Sequence, residues 1–337
     1  MISVLVTGVG GGVGEGIIKC LRSIDDLDIR IVTADMSTKA AGLYCGDLAV
    51  LVTAASAPDY VDRIIHICRQ ESIDYYIPGT DVELVVCASN AERIHEASGT
   101  EVIVSPLSAI EIADDKYETF RFLKDNGLAR PATYLPADIE PEELAYPLVV
   151  KPRIGCRSIG VEVVNDAAAL QERLALRDDL MIQELVGTAQ DEYTCTVVKV
   201  GESISDPVIL RRELRSGDTY RVVPVENQAI ADYLRTVVEK LGTRGSCNFQ
   251  LRLDGDTPKL FEINCRFSGT SPFCAKLGMN PAEYYLKARL GIPYTPRMRF
   301  DLVVFRAWSE IYVEAEQLET LERDGWSTPS VLNRGVL

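Results

Sequence analysis

The segment Gly245 to Ser271, GSCNFQLRLDGDTPKLFEINCRFSGTS, restricts the fold more than any other stretch of the chain. On one side of a turn, Phe249, Leu251 and Leu253 alternate with Gln250 and Arg252. On the other, Phe261 and Ile263 alternate with Glu262 and Asn264. Period-two alternation puts each set on one side of a strand. The segment therefore reads as a β-hairpin with Asp254-Gly255-Asp256-Thr257-Pro258 as its loop. That loop predicts Leu251 opposite Phe261, Phe249 opposite Ile263, Gln250 opposite Glu262 and Asn248 opposite Asn264. A one-residue slip would mix polar and apolar faces, so the pattern argues for this register. The face away from the core then gathers the side-chain oxygens of Gln250, Glu262 and Asn264. These are hard donors of the kind magnesium takes while completing its shell with water and phosphate oxygens. A half-exposed structural hairpin would show the same alternation. Arg266 and the turn Ser268-Gly269-Thr270-Ser271, which set a cation and flexible backbone beside the oxygens, tip the reading toward a site.

A chain of 337 residues has room for two or three domains. Residues 1 to about 105 alternate strand and helix, which predicts a doubly wound α/β domain. Its first turn, Gly8-Val9-Gly10-Gly11-Gly12-Val13-Gly14, follows a strand and opens a helix. Such a turn fits dinucleotide binding with Asp35 receiving a ribose, or simply a tight structural turn. A turn of this kind at a helix N-terminus could also offer the N–H groups of Gly10, Gly11 and Gly12 to an anionic substrate. Thr80-Asp81-Val82-Glu83 ends the third strand and reads equally as a substrate contact through Asp81 or Glu83 and as a helix cap. The net charge of −15 weighs against nucleic acid as a partner. No apolar run reaches membrane-span length and the N-terminus does not read as a signal peptide, so a cytoplasmic protein without a membrane partner is expected. The nine cysteines form no C-x-x-C pair and are expected to be reduced. With His66 and His95 as the only histidines, a zinc centre or a Ser-His-Asp triad has almost no material.

Further along, Lys116 opens a helix, where a lysine is ordinarily solvated. Lys151 ends the apolar strand Pro147 to Lys151 and enters the loop 152–160, and a charge at that junction is costly unless it faces an anion. Arg211, Arg212 and Arg215 cluster in an acidic chain, and at least one of them is expected to be merely solvated. A guanidinium there suits a phosphate or carboxylate.

The stretch CNFQLRLDG…KLFEINCRFSGTSPF resembles the metal-binding core of ATP-grasp enzymes, especially the synthetase domains of the carbamoyl-phosphate synthase large subunit. With its upstream elements the resemblance covers roughly residues 1 to 295. It implies an α/β fold, α+β in its C-terminal part. A Rossmann-like pre-ATP-grasp domain would span 1–107, a small lid subdomain 108–182, a large subdomain with the metal site 183–300, and a C-terminal extension 301–337. It also implies roles for residues. Gln250, Glu262 and Asn264 would hold Mg2+, with Mn2+ as a substitute. Lys116 and Lys151 would reach the ATP phosphates under the loop that carries Arg153 and Arg157. Glu184 and the backbone of Leu185 or Val186 would bind the adenine, Glu192 the ribose, and Arg212 and Arg266 would stabilise phosphoryl transfer. The implied activity is an ADP-forming ligase that joins a small-molecule acid to an amine through an acylphosphate, in a family where homodimers are common. Three alternatives compete: a fragment of carbamoyl-phosphate synthase, an NAD-dependent oxidoreductase built on the Gly8–Gly14 turn, and a non-catalytic nucleotide-binding subunit.

Overall fold

The computed structural model describes residues 1–155 and 158–330, so Arg157 lies outside the described residues. Three sheets organise the chain. The first runs Trp326–Ser327, Leu48–Leu51, Ile29–Asp35, Ile2–Thr7, Tyr75–Ile77, Glu101–Val102, parallel except for the Trp326–Ser327 strand. This is the expected doubly wound order. The chain works outward from Ile2–Thr7, then crosses to Tyr75–Ile77 on its other side. The crevice at that switch lies between the Gly8 turn and the residues after Ile77, where ligands of open α/β sheets bind.

The second sheet is antiparallel and seven-stranded, with Thr257–Asn264 at one edge and Val304–Phe305 at the other. The expected hairpin is there, Gly245–Asp254 with Thr257–Asn264, and it departs from expectation in one respect. The turn proper is only Gly255-Asp256, and Thr257-Pro258 already pair in the strand. Pro258 is tolerated because its strand is an edge. The shorter turn sets Leu251 opposite Leu260 rather than Phe261, and a β-bulge after Gln250 absorbs Phe261. Beyond the bulge the expected pairs Gln250–Glu262, Phe249–Ile263 and Asn248–Asn264 all hold.

The third sheet, Thr133–Tyr134, Leu180–Glu184, Leu148–Pro152, Glu162–Val164, is antiparallel and has a small core of its own around Leu148, Leu170 and Ile182. The boundary expected at 182/183 falls inside its strand Leu180–Glu184. Two helices, Leu107–Asp114 and Lys116–Asp125, meet at Asp115, which caps the second by accepting the Tyr117 N–H at 2.8 Å. The strands Val208–Arg215 and Asp218–Pro224 complete the middle of the second sheet, and the amphipathic helix Gln228–Leu241 packs against it.

The tail is not a separate appendage. Val304–Phe305 pairs with Asp218–Pro224, and Trp326–Ser327 pairs with Leu48–Leu51. No helix among the described residues is long and apolar enough to cross a membrane.

Candidate functional site

Two connected clefts open along the polar face of the hairpin. The first has ≈ 960 Å³ of empty space, counting its mouth, and lies between the second and third sheets. Lys116, Lys151, Gln183, Glu184, Leu185, Val186, Glu192, Arg212, Gln250 and Glu262 all line it. The second opens toward the N-terminal domain, with Asp81, Asn248, Asn264, Arg266 and Arg306 in its wall, and it shares Arg212, Gln250 and Glu262 with the first. Eleven of the residues singled out from the sequence, spread between positions 116 and 266, thus line these two clefts, whereas Arg153 does not.

The strands place them. In Val208–Arg215 alternation turns Arg212 inward and leaves Arg211 and Arg215 exposed. Arg212 donates twice to Glu192 Oε1, at 2.6 and 2.8 Å, and once to Gln250 Oε1 at 2.7 Å. Arg252 takes the other oxygen of Glu192 at 2.8 and 3.0 Å. Burial pushes the Glu192 carboxyl upward, but the two guanidinium groups outweigh it and hold Glu192 below the usual carboxylate range. Both Glu192 oxygens are therefore engaged by arginines. Glu184 accepts from the Ala132 N–H at 2.9 Å and pairs with Lys259 at 2.8 Å.

Lys151 is buried, donates to Gln183 Oε1 at 2.9 Å and lies 5.4 Å from the Phe261 ring. The bulge explains that last contact, because the extra residue lets Phe261 as well as Glu262 line the first cleft. Burial lowers the Lys151 ammonium from 10.5 to about 8, with Glu262 opposing and Lys116 reinforcing the shift. Lys116 donates to the carbonyl of Gly155 at 2.7 Å, tying the loop after Lys151 to the helix that Lys116 opens. Arg153 points away from the clefts and pairs with Asp115.

The three candidate metal ligands share one face. Gln250 accepts from Arg212, Glu262 Oε1 accepts from Asn264 Nδ2 at 3.1 Å, and Asn264 Oδ1 accepts from Arg266 Nη2 at 3.2 Å. Among the described residues no group of three His, Cys, Asp or Glu could hold a metal. One carboxylate and two amide oxygens is instead a set suited to Mg2+ that arrives with phosphate oxygens and water. Arg266 also pairs with Asp81 across the domains, at 2.6 and 2.7 Å.

In residues 80–83, Glu83 Oε2 accepts from the N–H and hydroxyl of Thr80 at 3.0 and 2.8 Å, a cap, while Asp81, paired with Arg266, lines the second cleft. Asp35 accepts the Gly10 N–H at 2.8 Å and the Ser37 N–H at 3.1 Å, so its carboxylate braces the glycine turn instead of waiting for a ribose.

Sequence reasoning missed Arg252, Gln183, Phe261 and Arg306 as lining residues. Arg252 was discoverable, since it shares the polar face of its strand with Gln250. Phe261 was hidden by the bulge, and Arg306 lies in the tail beyond any motif.

Residues 113–270 match the model of the ATP-grasp domain, and residues 4–103 match that of the PylC-like N-terminal domain. The carbamoyl phosphate synthase arginine-specific large chain of Bacillus subtilis is 22% identical over 237 residues, covering 65% of this chain and 23% of that one. The large chain of Thermoplasma acidophilum is 26% identical over 242 residues, covering 64% and 23%. The chain thus spans about a quarter of the length of the curated relatives it matches. Among solved structures, N5-carboxyaminoimidazole synthetase from Staphylococcus aureus complexed with ADP superposes with TM-score 0.71 at 15% identity, over 89% of this chain and 80% of that one. The L-amino acid ligase from Bacillus licheniformis gives 0.66 at 18%, over 86% and 74%.

Proposed function

We propose, from the matches of residues 113–270 to the ATP-grasp domain and of residues 4–103 to the PylC-like N-terminal domain, that the chain is an ATP- and Mg2+-dependent ligase joining a small carboxylic acid to an amine through an acylphosphate. The observation that carries the reading is the first cleft. It sets two buried lysines, without carboxylate partners among the described residues, beside one carboxylate and one amide oxygen of the hairpin. That is the charge pattern of a triphosphate site.

In this reading ATP lies in the first cleft. Glu184 and the backbone of Leu185 or Val186 face the base. Glu192, held ionised and fixed by Arg212 and Arg252, faces the ribose, and Lys116 and Lys151 bind the phosphates. Lys116 would exchange its bond to the Gly155 carbonyl for a phosphate. Gln250, Glu262 and Asn264 would hold Mg2+, which would supply charge neutralisation at the phosphates.

An oxygen of the acid attacks the γ-phosphorus, the bond to the β-bridging oxygen breaks, and ADP leaves. The amine lone pair then attacks the acyl carbon, the carbon–oxygen bond to phosphate breaks, and phosphate leaves with the amine proton going to solvent. No side-chain nucleophile is needed. Arg212 and Arg266 supply alignment and charge where the γ-phosphate and acid meet. Acid and amine are the partners this reading requires, the cytoplasm is its compartment, and a homodimer is compatible with it.

The test is ADP release from Mg·ATP across a panel of acids, each with and without a panel of amines, with Glu262→Gln as the blank. Release that needs one acid–amine pair and falls at least roughly a hundred-fold in the variant is expected. Tight ATP binding with no stimulation by any pair would favour a nucleotide-binding subunit.

A further inference from the structure

Of the cations lining the two clefts, Arg212 and Arg252 pair with Glu192, and Arg266 pairs with Asp81. Lys116, Lys151 and Arg306 form no ion pair among the described residues. The proposed triphosphate accounts for the two lysines. Arg306 opens on the second cleft and has no counterpart in that scheme.

Its position is well determined. The Arg306 N–H donates to the Tyr220 carbonyl at 2.8 Å, extending the pairing of Val304–Phe305 with Asp218–Pro224. Its Nε donates to the Thr219 carbonyl at 2.9 Å and its Nη2 to the Gly269 carbonyl at 2.7 Å, and the guanidinium stacks 4.8 Å from the Phe273 ring. The guanidinium lies over Gly269, whose α-carbon position would put a β-carbon at ordinary contact distance, 3.5 Å from Nη2 and 3.9 Å from Nη1. The carboxylates in its field, Asp218 and Glu15, stay outside ion-pair contact. Two neutral carbonyls thus fix the plane of the group and use two of its five N–H donors, leaving Nη1 and one N–H of Nη2. In a chain of net charge −15, a half-buried guanidinium that is oriented but not neutralised is a ready receptor for a planar anion.

We propose that Arg306 binds the carboxylate of the acid substrate in the second cleft, next to Gln250, Glu262 and Asn264. The substrate class is a small organic acid whose free carboxylate is required for binding, so its primary amide and its ester are not recognised. The fate of that carboxylate rests on the ligase reading, but its binding does not.

The experiment uses the full chain with Mg2+ and β,γ-methylene ATP, and reads the thermal shift on adding each of a panel of L-amino acids and aliphatic mono- and dicarboxylic acids. At least one acid is expected to stabilise the wild-type chain while its primary amide does not. Arg306→Ala should weaken that acid roughly ten-fold or more, as expected for losing a charge-assisted pair, with the shift from the nucleotide analogue unchanged. Arg306→Lys should recover part of the affinity. If the alanine variant does not fold, Arg306→Gln, which keeps a donor toward the Thr219 and Gly269 carbonyls, carries the same comparison. Equal acid affinity in variant and wild type would overturn the inference, as would a wild-type chain that no acid stabilises. An acid that binds through Arg306 and yet provokes no ADP release from Mg·ATP with any amine of the panel would leave the inference standing and overturn the ligase reading.

Discussion

Lys151 is a cation held where a cation is costly, and that gives the site a measurable pH signature. In the nucleotide-free chain burial brings its ammonium down from 10.5 to about 8. Between those values the unfolded chain binds more protons than the folded one, so Lys151 makes stability rise with pH across that window. A triphosphate acts in the opposite sense, because it favours the charged lysine. ATP binding above pH 8 must then take up a proton, and the affinity is expected to fall as pH rises through about 8, by at most roughly ten-fold per unit. Calorimetry of ATP binding between about pH 7 and pH 10 checks this, with Lys151→Met expected to bind weakly and without the slope. A wild-type affinity constant over that range would show that Lys151 does not meet the phosphates.

The two glycine-rich elements differ in how far they could be read. In the turn Gly8–Gly14 the pattern alone could not say which glycines are structural. A β-carbon on Gly14 would lie 2.5 Å from the Gly8 carbonyl oxygen, whereas one on Gly12 would meet nothing within 4 Å. Gly14→Ala is therefore expected to destabilise the chain by more than ~1 kcal/mol, and Gly12→Ala, at the start of the helix Gly12–Arg22, to be neutral or stabilising by up to ~1 kcal/mol. Urea unfolding of both variants measures the difference, and equal losses would contradict this division of the turn.

The hairpin was legible because alternation on two facing strands fixes the sides of its residues with few assumptions, and every pair from Gln250–Glu262 onward is as expected. The bulge was not, since it depends on a turn of two residues where the Asp/Gly/Pro composition suggested five. The strand Asp218–Pro224 and the helix Gln228–Leu241 were missed for a different reason. The helix does carry an apolar stripe, Ile230, Leu234, Val237, Val238 and Leu241, but neither segment holds a residue that matches a chemical motif.

For the whole molecule, the distribution of apolar contact decides what unfolds together. One core joins Leu5 and Val32 of the first sheet to Phe249 and Leu251 of the second, and another joins Val4 and Ile31 to Val198, Leu210 and Leu321. The third sheet is held by its own cluster. The first and second sheets are thus one body, and the third is the part able to move across the first cleft without breaking a shared core. The tail belongs to the body. Leu321 is fully buried in its core, Trp326 stacks against Arg63 at 5.0 Å, and Ser327 pairs with Ala49. A tail merely laid on the surface would melt before the rest.

The two tryptophans make this testable, because Trp308 is fully exposed and Trp326 sits in the closing strand. In Trp308→Phe, which should leave stability within about 0.5 kcal/mol, the fluorescence of Trp326 reports the tail alone. Its urea transition is expected to coincide with that of the far-ultraviolet circular dichroism. A Trp326 transition at lower urea would mean that the closing strand Trp326–Ser327 leaves the first sheet before the rest unfolds. Coincident transitions would mean that it belongs to the same cooperative fold.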